Sequence, residues 1–136
     1  MLSRETLQRG LVDEKIQRRL ELLVARIIDS CRVPKPMRQY RLVCDDGREV
    51  FLDNAWPDRK KAVEAIGLRR HGDRKQVVKT RLRARSIRSS GWELDEYGWY
   101  EATEAVADMR ASIEAFWEGS ACRGYGDPTQ NDDLAA

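Results

Sequence analysis

Two carboxylates, Asp53 and Glu64, flank the turn-forming run Trp56-Pro57-Asp58-Arg59. If the segments on either side of that turn pair as a hairpin, residues 53 and 64 come close across the ladder. Carboxylates brought together repel unless something cationic lies between them. A divalent ion is one answer, and Mg²⁺ prefers such oxygen ligands. An ion of that kind can polarise a phosphodiester and activate a water. The other answer is that both carboxylates face solvent at strand ends and bind nothing. Two residues beyond Glu64, where a second charged group would share its face, stands Ile66. An isoleucine cannot ligate a metal, orient a water or stabilise a pentavalent phosphate.

The remaining polar chemistry is concentrated just after Glu64. Residues 59–88 carry 12 basic and 2 acidic groups, whereas residues 89–136 carry 2 basic and 11 acidic. A concentrated basic segment is what a polyanion partner requires, nucleic acid first, but it can equally pair with the acidic segment inside the fold. His71 is the only histidine, and it lies amid Arg69, Arg70, Arg74 and Lys75. That loop is either phosphate-facing or simply solvated. In the helix expected over 76–90, Lys79, Arg83 and Arg81 could follow a backbone of phosphates, or pair with the acidic last helix. Trp56, Trp92, Trp99 and Trp117 could stack on bases, although tryptophans more often pack in cores and at sheet edges. No G-x-S-x-G elbow, phosphate-binding lysine loop or G-x-G-x-x-G is present. Cys31, Cys44 and Cys122 are odd in number and lack a C-x-x-C spacing. They argue against a disulfide framework or zinc knuckle and for a reducing, cytoplasmic setting. No apolar run suggests a leader or a membrane span.

The elements that must position these groups follow from periodicity. Residues 12–31 predict a helix with Ile16, Leu20, Leu23, Ile27 and Cys31 on one stripe, widened by Val12, Val24 and Ile28. Gly10 is expected to separate it from a weaker N-terminal turn, and Pro34 and Pro36 end it. Gln39–Cys44 and Glu49–Ala55 predict strands joined at Asp45-Asp46-Gly47-Arg48, with a third strand over Lys60–Ile66 closed by Gly67. Gln76–Ser90 predicts a helix with Val77, Val78, Leu82 and Ile87 apolar and Gly91 as its stop. Trp92–Tyr97 follows as a fourth strand. Ala102–Trp117 is the last helix, with Ala105, Met109, Ile113 and Phe116 on one face. The order α-β-β-β-α-β-α implies an α/β (α+β) chain with a mixed sheet and helices on both faces. Residues 1–118 make one domain, and the polar stretch 119–136 is expected to be disordered. The terminal Leu-Ala-Ala resembles the ending of bacterial degradation tags, or is coincidence.

The run LDNAWPDRKKAVEAIGLRRHG resembles the signature of the PD-(D/E)XK nuclease superfamily. Within it, the run is similar to a bacterial endonuclease-like family related to very-short-patch mismatch repair endonucleases. That family shows V-D-x-A-W-P followed by V-E-x-D-G-x-x-x-H. Before it the family has a helix with a Glu roughly a dozen residues ahead of a Leu-Pro pair, where this chain has Glu21 and Val33-Pro34. An Arg-rich helix and Gly-Trp, here Gly91-Trp92, follow. The resemblance covers about residues 11–117. It implies a restriction-endonuclease-like core that engages DNA, with Asp53 and Glu64 as carboxylates for Mg²⁺ or Mn²⁺. It also implies the Ala65 carbonyl as a further ligand, Glu21 projecting towards the site, and His71 at its rim as proton shuttle or phosphate contact. Arg69, Arg70, Arg74, Lys75, Lys79 and Arg83 would hold the strand.

The chain departs from the pattern at three places. Ile66 stands where the family has an acidic residue, Thr80 where an Asp is frequent, and Leu94-Asp95-Glu96 where the family reads apolar, apolar, Arg. Lys60 or Lys61 is a candidate substitute for the missing group, although Lys60 lies four residues from Glu64. The expected function is therefore a metal-dependent DNA endonuclease. The alternative is a catalytically inactive module of the same fold that binds DNA, a protein partner or a second copy, of regulatory or mobile-element type.

Overall fold

The computed structural model describes residues 3–67, the side chains of residues 6–12 excepted, and residues 74–119. Its elements are α1 (Arg4–Asp29), β1 (Met37–Val43), β2 (Glu49–Trp56), β3 (Lys61–Ala65), α2 (Arg74–Ser89), β4 (Glu93–Tyr97), α3 (Trp99–Glu104) and α4 (Val106–Glu118). The four strands form one mixed sheet in the order β1-β2-β3-β4. β1 and β2 are antiparallel, as are β2 and β3, while β3 and β4 are parallel, so α2 is the crossover between them. The turn residues dictate much of this. Gly47 takes φ 91°, and Cys44 N–H bonds to Arg48 O at 2.8 Å to close the first hairpin. Arg59 N–H to Trp56 O and Lys60 N–H to Pro57 O close the second. Gly91, at φ 89°, ends α2, with Trp92 N–H reaching back to Ile87 O.

Each face of the sheet buries a separate apolar cluster. On one face Leu20, Val24, Ile27 and Ile28 of α1 pack with Val63, Ala65, Tyr97, Met109 and Ile113. On the other, Ala84 and Ile87 of α2 pack with Val50, Leu52, Ala55, Ala62 and Leu94. All five residues of β3 are buried, as a central strand covered on both sides requires.

Three expectations need correction. Gly10 does not separate a turn from the first helix: α1 is helical throughout Arg4–Asp29. A helical glycine costs only about 1 kcal/mol relative to alanine, less than the packed stripe that follows supplies. The last helix is two helices, because Ala105 (φ −137°, ψ 44°) breaks it between Ala102 and Met109, both buried. The apolar stripe of α2 is also rotated from the one expected. Val78 and Leu82 are 48% and 42% exposed, and the sheet is met instead by Ala84 and Ile87, with Arg83 beside them.

Candidate functional site

Register puts the two carboxylates opposite each other. The β2–β3 pairs run Trp56↔Lys61, Ala55↔Ala62 and Asn54↔Val63, and the pairing ends there. The next pair in sequence is Asp53 with Glu64, and side chains replace the ladder. Asp53 N–H donates to Glu64 Oε2 at 3.0 Å, and Ala65 N–H donates to Asp53 Oδ2 at 3.0 Å. Each carboxylate thus satisfies a backbone donor freed where the strands part. The distortion extends across β2. Val50 and Leu52 face α2 and so does Ala55, three residues on, so the alternation shifts at Asp53–Asn54. Gln39, flanked by the pairs Arg38↔Asn54 and Tyr40↔Leu52, takes φ 50° and donates its amide to Asp53 Oδ1 at 3.1 Å.

Helix α1 closes one side. Gln17 Nε2 donates to the Ala65 carbonyl and to Glu21 Oε2, both at 3.0 Å. Helix α2 closes the other. Arg83 Nη1 bonds Glu64 Oε1 at 2.5 Å, while its Nη2 bonds Glu64 Oε2 at 3.3 Å and the Phe51 carbonyl at 2.8 Å. Glu64 is 3% exposed, so this ion pair is desolvated on the carboxylate side. Glu96 pairs in register with Glu64 across the parallel β3–β4 ladder, which puts them on one face.

Among the described residues, Arg83 is the basic side chain bonded to this carboxylate pair. Burial first, then the Glu64 charge, push the Asp53 carboxyl up to about 6; Glu21 adds to this, and the bonds from Ala65 N–H and Gln39 oppose it. Burial works against the Arg83 guanidinium. The Glu64 hydrogen bond and the charges of Glu64, Asp53 and Glu96 outweigh it and hold its pKa above the ordinary arginine value. The Arg83 guanidinium thus feels three carboxylates, Glu64, Asp53 and Glu96. Among the described residues no three His, Cys, Asp or Glu side chains gather as a metal cluster. The donors that do meet here are two carboxylates and the Ala65 carbonyl. All are hard oxygens, and they fit an ion such as Mg²⁺, which is commonly held by one or two carboxylates and keeps several waters.

Of the residues singled out from sequence, Asp53, Glu64, Ala65, Glu21 and Arg83 come together here. Arg74, Lys75 and Lys79 are exposed along α2. His71, Arg69 and Arg70 lie outside the described residues, as do Cys122 and the Leu-Ala-Ala end. Neither lysine substitutes for the group missing at Ile66. Lys60 is exposed in the second turn, four residues and so about 13 Å along the strand from Glu64. Lys61 is buried and bonds the C-terminal carbonyls of α4: Phe116 O at 2.5 Å, and Gly119 O. The tryptophans are packing residues. Trp56 Nε1 bonds Pro34 O at 2.8 Å, Trp92 lies against Tyr40, and Trp117 lies under the Arg59 guanidinium, 3.9 Å from the ring centroid.

Gln17, Gln39 and the part Arg83 plays were not anticipated from sequence. For Gln17 a signal existed: it precedes Glu21 by four residues and so shares its helix face. Gln39 carried none, because a left-handed glutamine within a strand is set by its neighbours. No helix among the described residues is long and apolar enough to cross a membrane. No protein-family model matches the chain, and no curated protein or solved structure matches it either.

Proposed function

We propose that the chain is a PD-(D/E)XK nuclease-fold protein that engages DNA and hydrolyses phosphodiester bonds with a divalent ion held by Asp53, Glu64 and the Ala65 carbonyl. What carries the reading is the meeting of Asp53 and Glu64 where β2 and β3 part, against a backbone carbonyl fixed by Gln17. A purely structural pair of buried carboxylates is costly, and the pressure on the Asp53 carboxyl is the sign of a site short of positive charge. Bound there, the ion would supply Lewis-acid polarisation of a phosphoryl oxygen and a water of lowered pKa. The chain's own part is to hold the two carboxylates in register, with Arg74, Lys75 and Lys79 of α2 exposed to meet a phosphate backbone. The test is nicking of supercoiled plasmid and of single-stranded DNA with Mg²⁺ or Mn²⁺, beside EDTA. Metal-dependent nicking that disappears in Glu64→Gln is the expected result. No nicking by the wild-type protein refutes the catalytic reading.

A second reading has its own observation. Glu64 is already engaged by Arg83, and the Ile66 side chain offers no polar atom. A non-cutting module that binds DNA through the basic helix accommodates both. It predicts affinity without cleavage, falling with salt, and a salt slope shallower by about one in Lys79→Gln.

A further inference from the structure

Arg83 is an unusual occupant for a site meant to receive a divalent cation. Glu64 accepts three hydrogen bonds, from Arg83 Nη1, Arg83 Nη2 and Asp53 N–H. A carboxylate offers about four lone-pair positions, so roughly one remains, on Oε1, the oxygen that Nη1 already contacts at 2.5 Å. An ion seated there would lie within a few ångströms of a guanidinium that the Phe51 carbonyl holds in place. Glu64 cannot swing out to meet the ion elsewhere, because it is 3% exposed on a strand covered on both faces.

We propose that Arg83 is a resident counter-cation which competes with divalent metal for Glu64, so that metal occupancy requires Arg83 to leave the carboxylate. The inference rests on the metal-site reading above and deepens it by naming the residue that sets metal affinity. Arg83 has somewhere to go: its side chain is 32% exposed, and α2 carries the exposed Lys79 one turn before it. A phosphate arriving along that basic helix is the natural acceptor for a displaced guanidinium, whose planar fork matches phosphate oxygens. Among the described residues, Ile66 supplies no side-chain cation at the end of β3, and Lys61 bonds the end of α4.

The experiment is a Mn²⁺ titration followed by electron paramagnetic resonance, at pH 8 and without nucleic acid. The proteins are wild type, Arg83→Gln, Arg83→Lys and Glu64→Gln, each checked for folding by circular dichroism. Removing one positive charge a few ångströms from a divalent ion should tighten Arg83→Gln about tenfold or more over wild type. Arg83→Lys, which keeps the charge, should stay within a few-fold of wild type. If Arg83→Gln binds no tighter than wild type while Glu64→Gln loses binding, competition is refuted and the metal site stands. If no protein binds Mn²⁺, both fall together. Should Arg83→Gln fail to fold, the wild-type protein decides. On titration with Mg²⁺, the Arg83 side-chain nitrogen resonances should move from their carboxylate-paired positions, and resonances that stay fixed while metal binds overturn the proposal.

Discussion

Replacing Asp53 by Asn should make the protein more stable near neutral pH, in proportion to the charge it relieves. The Asp53 carboxyl is raised from 3.8 to about 6. Its folded-state pKa therefore lies above its unfolded value, and the fold favours the protonated form. The corresponding stability is present below about pH 4 and is lost as pH rises through about 6. A shift of about two units corresponds to about 3 kcal/mol. Local relaxation on mutation reduces the gain to about 1–3 kcal/mol. Asparagine keeps the geometry: its Oδ1 can still accept from Ala65 N–H, and Gln39 can turn its amide oxygen to the new NH₂. Urea denaturation of both proteins at pH 4.5, 6 and 7.5 measures the difference. The advantage of Asp53→Asn should be small at pH 4.5 and widen towards pH 7.5. A variant destabilised equally at all three values would show that Asp53 is an ordinary hydrogen-bonding residue, and the argument from carboxylate repulsion would collapse.

Gly67→Ala should act through Gln17, because a Cβ at residue 67 would lie 1.8 Å from Gln17 Oε1. The displaced amide releases the Ala65 carbonyl and Glu21, at about 1 kcal/mol in urea denaturation, and the same change should cost almost nothing in a Gln17→Ala background. Lys61→Met should destabilise by about 1–2 kcal/mol, since it removes the donor to the part-buried carbonyls of Phe116 and Gly119 at the end of α4. Amide exchange should then rise first in the last turn of α4.

The parts of the fold that were legible are those written in local chemistry. Gly47 and Gly91 sit where a positive φ is needed, and each marks a boundary that the sequence alone locates. The parallel β3–β4 pairing follows from placing a helix between two short strands. What was not legible was decided by packing. Nothing in the helix-forming run around Ala105 announces a break there. The earlier start of α3 did leave a trace: Gly98 N–H bonds Glu101 Oε1 at 2.8 Å, a cap readable as Gly-x-x-Glu ahead of an apolar residue. On α2 the apolar set Val77, Val78, Leu82 and Ile87 spans too wide an arc to fix the helix's rotation, and of these Ile87 is the fully buried one. The structure turns it so that Arg83 and Ile87, four apart, face the sheet together.

That rotation explains why the carboxylates were readable from sequence and their counter-charge was not. A turn at 56–59 brings residue 53 near residue 64, and the observed register, with Trp56 opposite Lys61, sets the two in line. It also follows that a buried acidic pair demands a cation, whatever that cation is. Sequence spacing cannot choose between an ion from solution and an arginine from the crossover helix, since the choice depends on the angle at which α2 lies on the sheet. The chain resolves it by halves. Arg83 pairs with Glu64, while the Asp53 carboxyl is raised by its burial and by the charges of Glu64 and Glu21. On the proposed reading, Asp53 and Glu64 supply the charge a divalent ion would meet, and Arg83 is the cation that ion would displace from Glu64.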